Sequence, residues 1–244
     1  MKKSILTLLL ALLLALGLAA CGGGAAEEPA EEESTETTEP AEAEEAEENT
    51  EETASAEGAS KLVAVYDSMD PEAGIHMVYD VYLESLGTTR YDVHTKGGTY
   101  YARQSMQKEG YEDYDSVKFI QDGVFYTLHV KDQDGISMKG PSTDKAIITD
   151  SVYSGIQLCK DRTDFTAGQT EVDGTTYDSE TFPVSAASPM EQTFCFDGDG
   201  NLAVYIAAAS EQYSTPEVKY TILSIDDQVD ESLFDISGYT IEEQ

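Results

Sequence analysis

The sequence predicts a mainly β (α+β) domain, built as an antiparallel half-barrel or strongly curved sheet of about ten strands, with a short N-terminal helix and a helical insertion on the concave side. Three observations indicate this class. Short runs of alternating apolar and polar residues recur from Ile75 to Ile225. Asp-Gly pairs, typical of two-residue hairpin turns, separate several of these runs. No pattern of strand, long helix and strand predicts a parallel crossover.

The N-terminal helix is predicted over Lys61–Met69, where apolar residues recur at the spacing of one helix face. Pro71 prevents this helix from continuing. The alternation from Ile75 to Leu83 then predicts a long strand, which Gly87 should end.

The clearest local signal is the segment Val117–Val130, in which Asp122-Gly123 predicts a type I′ hairpin turn. This turn fixes a register that pairs Gln121 with Val124, Phe119 with Tyr126 and Val117 with Leu128. Those apolar pairs share one face. Lys118 and His129 are predicted on the other face, exposed to solvent.

The remaining elements follow from the same patterns. Asp134-Gly135 predicts another turn, and the segment 139–164 predicts one or two short helices. Further strands are predicted at Tyr91–His94, Thr99–Met106, Ala167–Val172, Thr175–Phe182, Gln192–Phe196, Leu202–Ala208 and Lys219–Ile225, followed by a helical turn at Asp230–Phe234.

The first residues have the pattern of an export signal. Lys2 and Lys3 precede an apolar run from Ile5 to Ala20, which is shorter than the roughly 20 residues of a membrane-spanning helix. Leu18-Ala19-Ala20-Cys21 resembles the lipobox of bacterial lipoproteins. The resemblance implies that residues 1–20 are cleaved, that Cys21 carries a diacylglyceryl group, and that the chain is anchored at the extracytoplasmic face of the cell membrane. The alternative is an ordinary signal peptide followed by a chance cysteine.

Residues 21–60 are predicted to be an acidic, disordered linker, with the folded domain at 61–244. Residues 22–60 contain fifteen glutamates, no Lys or Arg and no aromatic residue. The domain itself keeps 33 acidic and 12 basic residues, a net charge of −21 within the −34 of the whole chain. This charge argues against nucleic acid as a partner, and it would repel an anionic membrane, so the lipid must hold the chain there.

The cysteine count agrees with the lipobox. With Cys21 acylated, Cys159 and Cys195 are left as a pair that could form a disulfide. The alternative is two buried free thiols that pack as small apolar side chains.

No pattern predicts a metal site, a cofactor or catalysis. His76, His94 and His129 have no Cys or His at metal-ligand spacing. The loop Asp197-Gly-Asp-Gly-Asn201 imitates the start of a calcium loop, but it lacks the later glycine and glutamate, and it is interpreted as a turn. Neither cysteine in the domain has a neighbouring His that would activate it, and no nucleophile motif is present, so an enzyme is not expected.

Four features together resemble the LolA/LolB-type lipoprotein-carrier superfamily, which includes the mycobacterial lipid carriers LppX and LprG. They are the helix and long strand of Lys61–Leu86, the turn Glu171–Tyr177, the hairpin Phe194–Leu202 and the segment Val229–Tyr239. The resemblance covers residues 61–244. It implies an incomplete β-barrel with helices over its concave face and a cavity for acyl chains.

The resulting hypothesis is a non-catalytic, anchored module whose inner face binds an acyl chain or another apolar ligand. The residues predicted to line that face are Met77, Val81, Phe119, Tyr126, Leu128, Phe194, Val204 and Ile206. The alternative is an envelope interaction or sensing lipoprotein whose core is filled by its own side chains and holds no ligand.

Overall fold

The computed structural model describes residues 60–83, 87–106, 108, 111, 115–140 and 150–244. These residues form one open, strongly curved sheet of twelve strands with two short α-helices and one 3-10 helix. The predicted fold class is therefore confirmed. The predicted signal peptide, Cys21 and the linker up to residue 59 lie outside the described residues.

The elements follow the chain in a simple order. The helices are α1 (Lys61–Asp67), α2 (Ser151–Cys159) and the 3-10 helix (Glu231–Phe234). The strands are β1 (Ile75–Leu83), β2 (Gly87–Lys96), β3 (Thr99–Met106), β4 (Ser116–Gln121), β5 (Val124–His129), β6 (Asp134–Lys139), β7 (Thr166–Val172), β8 (Thr175–Phe182), β9 (Gln192–Phe196), β10 (Leu202–Ala207), β11 (Val218–Asp226) and β12 (Thr240–Glu243).

Two antiparallel meanders make up the sheet. One runs from β1 to β6, the other from β7 to β11, and the pairing of β1 with β11 joins them. The last strand, β12, pairs with β6 in the parallel direction at the edge of the first meander. The prediction of about ten antiparallel strands missed β6, which begins at the Asp134-Gly135 pair interpreted as a turn, and β12, which has only four residues.

The predicted hairpin at Asp122-Gly123 is confirmed. Both residues have positive φ, 53° and 74°, as a type I′ turn requires, and the three predicted residue pairs are the observed ones. The predicted turn at Asp134-Gly135 is wrong, because the chain reverses before it, at a turn in which Gln133 has φ 51°. Gly87 does not end a strand either; with φ 85° it opens β2.

The sheet buries side chains on both of its faces. The helix face is the side covered by α1 and α2, and the cluster there includes Met77 and Val93. The opposite face carries Phe119 and Leu128, and it is covered by the segment after β11. The apolar residues of that segment in this cluster are Leu233, Phe234, Ile236, Tyr239 and Ile241.

The pairing of β6 with β5 depends on a glycine. A Cβ at Gly135 would lie 2.6 Å from the Thr127 carbonyl oxygen and 2.7 Å from Leu128 Cδ2. Gly135→Ala is therefore expected to lower the free energy of unfolding by about 1–3 kcal/mol, since backbone of β5 would have to move. Urea unfolding measures the change.

Gly168→Ala in β7 is the matched control, because a Cβ there meets no atom within 4 Å. A change within about 0.5 kcal/mol is expected for it. Equal destabilisation by the two substitutions would contradict the close contact of Gly135 with β5.

Candidate functional site

The first helix is docked on the sheet by a buried carboxylate. Glu180 of β8 is 4% exposed and accepts hydrogen bonds from the Lys61 N–H at 2.6 Å and the Ser60 hydroxyl at 2.7 Å. It also accepts the Leu62 N–H at 3.3 Å. These amides of the first helical turn have no partner inside the helix, so Glu180 satisfies them and fixes the start of α1.

The second helix is docked by another buried carboxylate. Asp150 caps α2, since its Oδ1 accepts the Tyr153 N–H at 2.9 Å. Its Oδ2 accepts the Tyr79 hydroxyl of β1 at 2.7 Å. Burial raises the pKa of Asp150, and its hydrogen bonds from Tyr153 and Tyr79 act in the opposite direction. The same burial holds the pKa of Tyr79 well above its ordinary value. One carboxyl group thus ties α2 to the centre of the sheet.

Aromatic rings fill the space between the helices and the sheet. Tyr205 stacks on Phe194 at 4.8 Å and on Tyr220 at 4.9 Å between ring centroids. Tyr79 lies edge-on to Tyr220 at 6.0 Å and stacks on Tyr91 at 5.2 Å. We call these five residues the aromatic row. It crosses β9, β10, β11, β1 and β2, so this part of the helix face is filled by the protein's own side chains.

Along the meander from β1 to β6, the side chains of the helix face become progressively more exposed. In one cross-strand row, Met77, Val93 and Ala102 are at most 1% exposed. Lys118, Thr127 and Ile136 continue this row, and all three are partly exposed.

The neighbouring row changes in the same way. Ile75, Tyr100 and Ile120 are 1%, 3% and 4% exposed. Phe125 is then partly exposed, and Met138 is 58% exposed. The helix face is therefore closed over β1–β3 and open over β5 and β6.

The open end, defined as the helix face of β5 and β6, presents apolar side chains next to the Lys118 ammonium group of β4. Phe125, Ile136 and Met138 supply the apolar surface. Lys118 lies on the same face, where burial lowers its pKa and Asp150 raises it more weakly. Lys118 and His129 share the predicted face of the hairpin, opposite to Val117 and Phe119. His129 is exposed as predicted, whereas Lys118 is only partly exposed.

The eight residues predicted to line one inner face do not share a face. Met77, Val81 and Phe194 lie on the helix face. Phe119, Tyr126 and Leu128 lie on the opposite face, in contact with the C-terminal segment, and Val204 and Ile206 belong to a third cluster on that opposite face. The strand registers explain the error. Met77 aligns through Val93 and Ala102 with Lys118, so Phe119 must point the other way.

Cys159 and Cys195 do not form a disulfide in this structure; both are buried free thiols. Cys159 lies among the residues of the helix face, whereas Cys195 lies in the cluster of the opposite face. The sheet separates them, because Cys195 alternates in β9 with Phe194 and Phe196, which face the helices. Burial raises the pKa of each thiol to about 11, so neither is a thiolate at neutral pH.

A cluster of two histidines and an aspartate was missed by sequence reasoning. His76 of β1 and His94 of β2 are directly paired on the opposite face, and their rings stack 4.3 Å apart. The Nε2 atoms of both contact Asp92 Oδ1, at 3.1 Å and 3.0 Å. Cross-strand pairing makes them neighbours, so spacing along the sequence gives no sign of it.

Hydrogen bonds favour a structural role for this cluster. His94 Nδ1 accepts the Asp230 N–H at 3.2 Å, so the ring proton lies on Nε2 and is donated to Asp92. The hydrogen bond from His94 lowers the pKa of Asp92. The ligand atoms of His76, Asp92 and His94 lie within 4.8 Å of one another. A metal ion would nevertheless need a free lone pair on His94 Nε2. That atom carries the ring proton as long as Nδ1 accepts the Asp230 N–H.

The calcium-like loop is a self-contained turn. Asp197 Oδ1 accepts the N–H groups of Asp199 at 3.0 Å and Asn201 at 2.8 Å, and its Oδ2 accepts the Asn201 side-chain amide at 3.1 Å. These bonds lower the pKa of Asp197, with the Asn201 side chain contributing most.

No protein-family model and no curated protein matches this chain. Among solved structures it is similar to an uncharacterized conserved protein from Thermus thermophilus, with 8% identity over 75% of this chain and 97% of that one and a TM-score of 0.45. It is also similar to a chain of the MucA/MucB complex of Pseudomonas aeruginosa, with 10% identity, coverage of 71% and 60%, and a TM-score of 0.35.

A third similar structure is the LolA superfamily protein NE2245 from Nitrosomonas europaea, with 8% identity over 72% of this chain and 97% of that one and a TM-score of 0.33. This is the superfamily that the sequence motifs of the chain resemble. All three TM-scores are below 0.5.

The carboxyl group of Asp150 can be tested by two substitutions. Asp150→Ala removes the cap of α2 and leaves the Tyr79 hydroxyl without its acceptor, at an expected cost of about 2–3 kcal/mol in unfolding free energy. Asp150→Asn keeps an oxygen for the Tyr153 N–H and offers an amide to the Tyr79 oxygen, so it should cost clearly less. Urea unfolding at neutral pH compares them. Equal losses would contradict the capping role.

The same pair predicts a pH dependence. Since burial raises the pKa of Asp150, the folded protein holds this proton more tightly than the unfolded chain. The wild type should therefore lose stability as the pH rises from the usual aspartate value of about 4 through the raised pKa. Asn does not ionise, so Asp150→Asn should lack this part of the loss. A profile of unfolding free energy against pH that is unchanged in Asp150→Asn would show that the carboxyl group is not the cause.

Proposed function

We propose that this chain is a non-catalytic, membrane-anchored lipoprotein of the cell envelope whose open end binds an acyl chain or another apolar ligand. The observation that carries the proposal is the change in burial along the helix face. Apolar side chains that are fully covered over β1–β3 give way, on the same face, to Phe125, Ile136 and the 58% exposed Met138. One exposed and two partly exposed apolar side chains next to a packed core support a ligand surface here.

The aromatic row determines where a ligand would lie. Phe194, Tyr205 and Tyr79 are at most 5% exposed and contact one another through the row, so an acyl chain has no room among them. At the open end, by contrast, covering the partly exposed side chains removes apolar surface from water, which is favourable by about 25 cal/mol for each Å². The proposal therefore puts the ligand over β5 and β6 and not over the whole helix face.

Anchoring at the extracytoplasmic face of the membrane is the second half of the proposal. It is supported by the lipobox Leu18-Ala19-Ala20-Cys21 and by the acidic segment that follows it. None of the helices in the described part of the chain has the length and hydropathy of a membrane span. Two acyl chains on Cys21 would hold the protein at the membrane stably, where a single chain binds only weakly.

The packed aromatic row supports a second candidate function. A lipoprotein with a self-filled core would act through its surface, and a domain net charge of −21 favours a basic protein partner. Such binding should weaken steeply with added salt. The two candidates differ in one respect: only the first requires a ligand at Phe125 and Met138.

Ligand binding can be mapped by a photoreactive fatty acid. Cells that produce the full chain would be fed a 16-carbon fatty acid with a diazirine group, irradiated, and the purified protein digested for mass spectrometry. Cross-links are expected on peptides of β5 and β6, because the acyl chain would cover Phe125 and Met138 there. Met138→Asp should lower the yield at these peptides about tenfold, since the ligand would have to cover a charge.

Leu223→Asp in β11 is the matched control, because Leu223 is 49% exposed and lies away from the open end. It should leave the cross-links unchanged. Cross-links spread evenly over the chain, or absent from β5 and β6, would contradict ligand binding and favour the second candidate.

Lipid attachment is tested by labelled palmitate. The wild-type chain should take up the label, and Cys21→Ser should not, because the thiol of Cys21 is the only predicted attachment point. Cys159→Ser is the control and should keep the label, since Cys159 is buried in α2. Labelling of the Cys21→Ser chain would contradict the anchor.

A further inference from the structure

The ring of His76 faces a carboxylate oxygen with each of its two nitrogens. Nδ1 lies 3.1 Å from Asp226 Oδ1, and Nε2 lies 3.1 Å from Asp92 Oδ1. A neutral imidazole carries one N–H, so one of these contacts sets a nitrogen lone pair against a carboxylate oxygen. Two such acceptors repel each other, and a second proton or a bound metal ion would supply the positive charge that is missing between them.

A third ligand atom lies beside this contact. His94 pairs directly with His76, and its Nε2 is 3.0 Å from the same Asp92 Oδ1. The three ligand atoms lie within 4.8 Å of one another. Tetrahedral Zn²⁺, with bonds of about 2.0 Å, holds its ligand atoms about 3.3 Å apart, which is close to both N···O distances. The two rings are stacked with 13° between their planes, so a shared ion requires them to tilt toward each other.

The cluster is accessible from solvent. The side chain of Asp92 is 45% exposed and that of His76 is 18% exposed, whereas that of His94 is 6% exposed. An ion therefore enters at Asp92, where a water molecule can fill its fourth position. The domain net charge of −21 favours the approach of a cation.

Asp226 has the position of an outer partner in a metal site. A histidine that binds a metal through one ring nitrogen usually donates the N–H of the other to a carboxylate, which fixes the ring and makes it a stronger ligand. His76 has this arrangement, with Nε2 toward Asp92 and Nδ1 toward Asp226.

His94 holds its ring proton on the nitrogen that would bind the ion. Its Nδ1 accepts the Asp230 N–H, so the proton lies on Nε2. When Nε2 binds an ion, the ring proton moves to Nδ1, and Nδ1 can no longer accept the Asp230 N–H. The number of protons on the ring is unchanged, but one hydrogen bond to the C-terminal segment is lost. An ion and the Asp230 amide therefore compete for His94.

We propose that His76, Asp92 and His94 bind a divalent transition-metal ion such as Zn²⁺, in competition with the docking of Asp230. Two imidazoles and one carboxylate are ligands that suit such an ion. Asp230 caps the 3-10 helix in the segment that covers Phe119 and Leu128, so binding of the ion loosens the start of this segment. The site lies on the face opposite the open end and does not depend on the ligand proposed there.

Zinc titration of the full chain, purified in detergent, tests the site. Wild type should show one site that the ligand variants lack. His76→Ala and His94→Ala should each weaken it by more than about tenfold, because each removes a ligand. Asp226→Asn should weaken it about tenfold, because the ring of His76 loses its carboxylate partner. Titration calorimetry measures the dissociation constants.

His129→Ala is the matched control, because His129 is 51% exposed and lies beside Asp134, away from the cluster. It should leave the affinity unchanged. Weak binding of Zn²⁺ by the glutamates of residues 22–60 is common to all variants and cancels in the comparison. Thermal unfolding of every variant checks that it is folded.

Two substitutions of Asp230 test the competition. Asp230→Pro removes the N–H, whereas Asp230→Ala keeps it, and both remove the carboxyl group. The φ of Asp230 is −86°, close to the value that proline requires. Asp230→Pro should bind Zn²⁺ about fivefold more tightly than Asp230→Ala, the value of one neutral hydrogen bond.

Three results would overturn the inference. Zinc binding that is unaffected by His76→Ala and His94→Ala would place the ion outside the cluster. Absence of zinc binding by wild type would assign the charge between His76 and Asp92 to a second proton. Equal affinities of Asp230→Pro and Asp230→Ala would contradict the competition for His94. None of these results bears on cross-linking of an acyl chain at the open end.

Discussion

The structure depends on the pairing of β1 with β11. Each meander is built from local hairpins, but neither meander makes the whole sheet, and the join connects residues about 150 positions apart, such as His76 and Asp226. The aromatic row lies across this join, with Tyr205 and Tyr220 on one side and Tyr79 on the other. The stacked rings bridge the two meanders and add apolar burial to the backbone hydrogen bonds between β1 and β11.

The two helices are attached by similar means. Glu180 accepts the free amides of α1, and Asp150 caps α2 while it accepts a hydroxyl from the sheet. Both carboxyl groups are buried. Moving a helix would therefore leave a carboxyl group or its hydrogen-bond donors without a partner, at a cost of several kcal/mol. The helices are therefore fixed over the join and do not extend over β5 and β6. This placement leaves Phe125 partly exposed and Met138 exposed, and it makes the open end a property of the fold.

Local features of this fold were predictable from the sequence, and the relation between its two faces was not. The hairpin at Asp122-Gly123 followed from one dipeptide and two alternating runs, because turn geometry fixes register. Alternation also separates Phe119 from Lys118, but it does not reveal which side the helices cover. Both sides of β4 are covered, one by α2 and one by the segment around Leu233. The cluster of His76, Asp92 and His94 depends on cross-strand pairing, so no spacing in the sequence indicates it.

The join also determines when the sheet can be finished. A chain that is synthesised from its N-terminus can complete β1–β6 first. The free edge of β1 then stays unpaired until β11 has been synthesised, more than 130 residues later. During that interval an apolar strand with open backbone donors and acceptors is available to other chains. Recombinant production of this protein should therefore be limited by self-association of half-finished molecules and not by the stability of the finished one.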